Sequence, residues 1–268
     1  MRRSLARALS VCALSVAFLG VVTTPVAAQS VNKALIDNLN RKLLYVALPL
    51  MMAVEFVLVY TLYRYRNNDD PKPTEENRRL EITWTVVTAI ILTFVGVASM
   101  VVFANPYISP VVAADTGAAA DAPNPELQGA VQPSTESAVE VEVLAYQWGW
   151  EFQYAESNVT THGTLVLPAD REVYLHVTSA DVIHSFYAPS LGLKQDVMPG
   201  AYNTIRTRVT EPGTYSLYCA EFCGSGHSRM RGEIVVLSEE EYREWLSNQS
   251  TTEDVANATA TGNASARA

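Results

Sequence analysis

Two apolar runs near the N-terminus constrain this chain more than anything else in it: LLYVALPLMMAVEFVLVYTLY (43–63) and LEITWTVVTAIILTFVGVASMVVFA (80–104). Each is close to the ~20 apolar residues an α-helix needs to cross the hydrocarbon core of a bilayer. Inside lipid a backbone must satisfy its own hydrogen bonds, so the pair reads as a transmembrane helical hairpin. The loop between them carries Arg64, Arg66, Lys72, Arg78 and Arg79, whereas no Lys or Arg occurs from residue 80 to residue 170. Basic loops stay on the cytoplasmic side, which places this loop inside and both termini of the mature chain outside the cell membrane. Glu55 and Glu81 fall in or beside the spans, where a carboxylate calls for a protein partner or a snorkelling position.

Residues 1–28 open with Arg2 and Arg3, run through apolar Leu9 to Val22 and end in Val26-Ala27-Ala28, the pattern of a removable signal peptide. A first transmembrane anchor fits less well, because the run is short and broken by Ser10 and Ser15. Cleavage after Ala28 removes Cys12 and leaves Cys219 and Cys223, too few for a secreted disulfide scaffold.

Residues 105–138, rich in Ala, Pro, Asp and Ser without apolar period, read as a linker. Beyond it come short segments with strand-type alternation: VEVEVLAYQW (139–148), GTLVLP (163–168), EVYLHVTS (172–179), TYSLYC (214–219) and GEIVVL (232–237). Turn residues punctuate them, which predicts a compact antiparallel sandwich or Greek-key barrel over 139–246. EEEYREWL after Ser238 predicts a short capped helix, and 247–268 a disordered tail. Sequons begin at Asn158, Asn248, Asn257 and Asn263, the last three in a tail whose composition generates them by chance. From residue 105 onward there are 8 basic and 21 acidic residues, a net of −13 that repels nucleic acid and attracts cations or a basic partner.

Within the β-rich region, CAEFCGSGHSRM (219–230) gathers Cys219, Cys223, His227 and Met230. A disulfide between the two cysteines would suit an exported protein but leaves the other two residues idle. Structural zinc has no use for a thioether. Thiolate, imidazole and thioether together form the soft set that copper takes in electron-transfer sites, and a second thiolate offers bridges for two copper ions. Such a pair wants a further imidazole. His176 lies within an alternating strand pattern and His162 in an apparent turn, whereas His184 sits where alternation gives way to a Pro/Ser/Gly loop, so pattern favours His184.

DVIHSFYAPSLGLKQDVMPG (181–200) and GTYSLYCAEFCGSGHSRMRGEIVV (213–236), preceded by two hydrophobic spans, resemble cytochrome c oxidase subunit II, the carrier of the binuclear CuA centre. The resemblance covers the hairpin and most of 139–246. It implies an N-terminal two-helix transmembrane hairpin followed by an all-β cupredoxin-like Greek-key barrel. It further implies that Cys219 and Cys223 bridge both coppers, that His184 and Met230 complete one, and that His227 and the main-chain carbonyl of Glu221 complete the other. The Glu221 carboxylate would bind magnesium at the junction with the catalytic subunit.

In YQWGWEF (146–152), which is similar to the family's aromatic stretch, Trp148 would be the point where electrons enter and Trp150 a supporting residue. Asp181 matches an acidic position that docks the electron carrier, but Ala180 and Gln153 stand where acidic residues are common in the family. That leaves the carrier open between cytochrome c, the default partner, a small blue-copper protein and a fused or membrane-bound cytochrome. Asp196 matches a recurring position near the subunit interface and receives no role. The implied function is to accept electrons and pass them to haem in subunit I, alongside subunit III, for the reduction of oxygen to water. The alternative is a membrane-anchored copper chaperone, sensor or mononuclear carrier outside an oxidase. Quinol-oxidising relatives lack the copper ligands, and nitrous oxide reductase carries a large second domain that this chain does not have.

Overall fold

The computed structural model describes residues 28–109, 130, 131, 133, 135, 137–155, 157 and 159–249. The expected signal peptide (1–27 of it), the middle of the expected linker (110–129), the tail from residue 250 and the sequon asparagines Asn158, Asn257 and Asn263 lie outside the described residues.

Among the described residues two long helices come first, α1 (Val31–Tyr65) and α2 (Arg78–Phe103). Their apolar side chains are largely uncovered, with Phe56 and Leu62 each 72% exposed, the surface of helices solvated by lipid. Helix α2 matches the expected span. Helix α1 starts well before Leu43, because residues 31–42 are polar and escape a hydropathy reading. Ser30 caps that leading segment, its hydroxyl accepting from Lys33 N at 3.0 Å, and Lys33 pairs with Asp37 one turn on.

Ten strands follow: β1 (Val139–Tyr146), β2 (Gly149–Tyr154), β3 (Val159–His162), β4 (Thr164–Pro168), β5 (Val173–Ser179), β6 (His184–Ala188), β7 (Leu193–Val197), β8 (Asn203–Thr207), β9 (Gly213–Cys219) and β10 (Arg231–Leu237). They form two five-stranded sheets, ordered β3-β2-β1-β5-β8 and β4-β10-β9-β6-β7. The sandwich is not purely antiparallel as the sequence suggested. β1 runs parallel to β5, Val139 opposite Val173, and β10 runs parallel to β4, Ile234 opposite Leu165. The chain between each pair crosses through other strands and returns to the same end, the long connection that parallel pairing requires. Strands β2, β3, β6, β7 and β8 were not resolved by sequence pattern, since they are short and β6 is buried at four of five positions.

Alternation along β1 turns Val139, Val141, Val143 and Ala145 inward, against Trp150, Phe152, Leu175, Phe186, Leu217 and Ile234 in a core between the sheets. Buried Tyr154 on β2 reaches across to edge strand β4, its hydroxyl donating to Val166 O (3.0 Å) and accepting from Val166 N (2.7 Å). A third helix, α3 (239–249), starts as expected at Ser238, whose N–H donates to the Glu241 carboxylate at 3.0 Å while its hydroxyl accepts from Glu241 N at 3.4 Å. Trp245 of α3 packs edge-on to Tyr154 at 5.2 Å.

The sandwich is fastened directly to the head of α1. Ser30 bridges to Val209, and Val31 N donates to Arg208 O at 3.1 Å. Asn32, buried in spite of its polarity, donates through Nδ2 to Tyr107 O beyond α2 and to Arg206 O of β8 (3.0 Å), while Oδ1 accepts from the Thr207 hydroxyl (2.7 Å). One amide thus ties the start of α1, the segment after α2 and a sheet edge. Asn32→Ala is expected to cost about 1–2 kcal/mol, because the carbonyls it abandons are only partly buried and regain some water. The change should show as a lowered melting temperature and faster proteolysis at the junction in detergent micelles; unaltered resistance would refute the role of this amide.

Candidate metal centre

Strands β9 and β10 are antiparallel neighbours, and the loop between them, residues 220–230, is closed at its base by Cys219 N donating to Met230 O at 3.2 Å. Gly224 sits at φ 113°, a left-handed region in which a side chain would be strained, and lets the loop fold back on itself. A 3-10 turn at His227–Arg229 then presents His227, and Met230 leads into β10. His184 comes from the neighbouring strand: β6 pairs with β9, Phe186 opposite Cys219, so the imidazole reaches the loop although it is 35 residues distant in sequence. It is the first residue of β6 and not part of an irregular loop as the sequence suggested.

The donors form a continuous set. Cys219 Sγ lies 3.7 Å from His184 Nδ1, 3.8 Å from Cys223 Sγ and 3.2 Å from Glu221 O. Cys223 Sγ lies 3.6 Å from His227 Nδ1 and 3.7 Å from Met230 Sδ. Cys219 and Cys223 are free cysteines, so the disulfide reading fails. His184, Cys219 and Cys223 are buried and make up a group able to hold a metal ion. Burial first, and then the Cys219 thiol beside it, push the Cys223 thiol up to about 11. A buried thiol raised in this way stays protonated until a cation takes it as thiolate, which is the behaviour of a metal pocket. Sulfur, imidazole, thioether and carbonyl donors gathered in one place fit copper, whereas zinc would leave Met230 unused.

Trp148 lies over this loop. Its indole Nε1 donates to Cys223 O at 3.1 Å, and the Gln147 side-chain amide donates to the same carbonyl at 2.7 Å. A Cβ on Gly226 would meet the indole at 2.2 Å, so the close approach depends on that glycine. Trp148 remains 41% exposed, whereas Trp150 is wholly buried and packs edge-on to His184 at 6.4 Å. Asp181 accepts from His184 Nε2 at 2.9 Å. Burial works to raise its carboxyl, but the bonds from His184, Val182 N and Gln147 N outweigh that and hold it below the ordinary carboxylate value.

All six residues expected around the metal, and Trp148 and Asp181 with them, therefore fall in one region. Glu221 is exposed, its Oε1 accepting from Phe222 N at 3.2 Å. Asp196 is exposed and accepts from the buried Ser185 hydroxyl at 3.1 Å. His162 is exposed beside Glu151, and buried His176 bonds Glu140 and Thr204, so neither is part of the site. Sequence reasoning missed Gln147 and Gly226. Their signals were the Gln directly before Trp148 and the paired glycines of CGSGH (223–227).

A two-helix membrane anchor bearing a two-sheet sandwich, with a pocket of soft donors at one hairpin, defines a membrane-anchored β-sandwich protein with a metal-binding group. The description "Cytochrome C oxidase subunit II, transmembrane domain" matches residues 21–102, and "Cytochrome C oxidase subunit II, periplasmic domain" matches residues 156–238. Cytochrome c oxidase subunit 2 of Synechocystis is 33% identical over 83% of this chain and 74% of that protein, and its counterpart from Thermostichus vulcanus is 30% identical over 79% and 74%. Among solved structures, the periplasmic domain of subunit II (CoxB) of Bradyrhizobium japonicum is 24% identical, covers 45% of this chain and 97% of that chain, and gives a TM-score of 0.42. The chain belongs to the cytochrome c oxidase subunit II family and serves as an electron-entry subunit of the oxidase. It is accordingly a membrane protein and part of a respiratory oxidase.

Proposed function

We propose that this chain holds a binuclear CuA centre, takes electrons from a soluble carrier and hands them to haem in subunit I, where oxygen is reduced to water. The observation that carries the reading is the unbroken set of donors around two free, buried cysteines. Cys219, Cys223, His184, Met230, His227 and the Glu221 carbonyl would together hold the ions, the two cysteines as thiolates. A bound copper pair supplies a one-electron couple whose charge is shared through sulfur.

The protein's own contribution is to hold and shield. Met230 is 1% exposed and His184 0%, and Cys219 and Cys223 are buried with them, so these four donors are shielded from water while His227 and Glu221 form the outer side of the site. Trp148 offers a bonded route inward, from an exposed indole edge through Nε1–H to the carbonyl of ligand Cys223. The acidic exported part suits a carrier with a basic face, cytochrome c or a small blue-copper protein, and the attraction weakens as salt rises. Exposed Glu221 can offer its side chain to magnesium at the junction with subunit I, and subunit III completes the assembly. Positive charge in the loop between α1 and α2 puts that loop in the cytoplasm and the sandwich outside the plasma membrane.

Copper stoichiometry and electron paramagnetic resonance on the full chain in detergent test this. Two coppers per chain with hyperfine structure from both nuclei are expected. One copper with single-nucleus splitting would mean a mononuclear carrier, readily reversible binding a chaperone or sensor, and absence of copper uptake under reductant would reject the centre.

A further inference from the structure

Asp181 is the acidic residue expected to dock the carrier, yet its hydrogen bonds point inward. Oδ1 accepts from His184 Nε2 (2.9 Å) and from Val182 N (2.6 Å), while Oδ2 accepts from Gln147 N (2.7 Å). The Ser179 hydroxyl adds a longer contact to Oδ1 at 3.4 Å. A carboxylate with three close internal donors has little left for a lysine on a visiting protein. Its side chain is 31% exposed, while the imidazole it holds is fully buried.

We infer that Asp181 is a positioning residue of the metal centre, fixing His184 through Nε2–H and pinning the Trp148 turn through Gln147 N. The inference rests on the copper reading of the site. An acceptor at Nε2 keeps the proton there, which leaves Nδ1, the nitrogen 3.7 Å from Cys219 Sγ, unprotonated for the metal. A negatively charged acceptor also makes the imidazole a stronger donor and so favours the oxidised ion. The same carboxylate is bonded to the backbone immediately before Trp148, and Gln147 in turn reaches Cys223 O, so one residue joins the ligand on β6, the aromatic turn and the ligand loop. A purely docking carboxylate would require none of these bonds.

The test uses Asp181→Asn and Asp181→Ala in the full copper-loaded chain, with three readouts: reduction potential, paramagnetic resonance spectrum and rate of copper loss to a chelator. Both variants should raise the potential and shed copper about 10- to 100-fold faster, the range for removing a partner behind a metal-bound histidine. Asn, which still offers an oxygen to Nε2–H, should be the milder and retain the folded spectrum if Ala does not. Wild-type potential and copper retention in Asn and Ala alike, with a loss confined to the salt-dependent rate of reduction by cytochrome c, would overturn the positioning role and leave docking. A wild-type chain that takes up no copper would overturn the site itself and this inference with it, and is distinguished before either variant is examined.

Discussion

Gly226→Ala is expected to slow electron uptake from a soluble carrier by on the order of 10²-fold, the penalty of displacing a reacting group by about an ångström. The added Cβ would lie 2.2 Å from Trp148 Cδ2 and 2.5 Å from Cγ, against a carbon–carbon contact distance of about 3.5–4.0 Å. The glycine is buried beneath the ring and fixed within the ligand loop, so the indole must lift. Lifting it breaks the Nε1 bond to Cys223 O and opens the cover over the loop. The atoms nearest the added Cβ all belong to Trp148 and none to the donors, so copper content should persist while stopped-flow reduction slows. Rapid reduction at the wild-type rate in a copper-replete variant would show that electrons do not enter through Trp148.

Tyr154→Phe should produce the largest loss of stability. The phenol is 2% exposed, burial keeps it protonated far above neutrality, and its hydroxyl serves both the N–H and the carbonyl of Val166. β4 is an edge strand with β10 on one side, so these groups have nothing else to bond inside the core. Phenylalanine fills the same space but leaves both unpaired, at about 1–3 kcal/mol each. A total of about 2–6 kcal/mol corresponds to a fall of roughly 10–30 °C in melting temperature for a domain of this size. Calorimetry of the full chain in micelles measures it, and a melting point within a degree or two of wild type would mean that water replaces the hydroxyl.

The parts of this architecture that can be read from sequence are those encoded within a short stretch. The hairpin is legible because lipid demands a long apolar run, and the ligand loop because four of its donors fall between Cys219 and Met230. His184 is harder. Its strand is buried on both faces and has no alternation to read, and the pairing of β6 with β9 that delivers it is a long-range contact. Resemblance to a family, more than spacing, singled it out. Asp181 and Gln147 stand at positions the sequence marks, near His184 and directly before Trp148, but the bonds through which they act reach residues up to 76 positions away, and those a single sequence does not show. Asn32 was overlooked for the opposite reason: a polar residue ahead of an apolar span looks like solvent-facing helix, and its partners at Arg206 and Thr207 lie over 170 residues on.

Helix α1 also sets a length. Its 35 residues span about 52 Å, well beyond the ~30 Å of hydrocarbon, and the excess is the polar stretch 31–42 that ends at the Ser30–Asn32 fastening. The helix is thus a ruler: it converts residue count into the stand-off of the copper pocket from the lipid. Each residue inserted into 34–41 would raise the fastening by about 1.5 Å and swing it through about 100°. Distance and azimuth therefore cannot be adjusted independently, and variation in this segment is confined to steps that approximate whole turns.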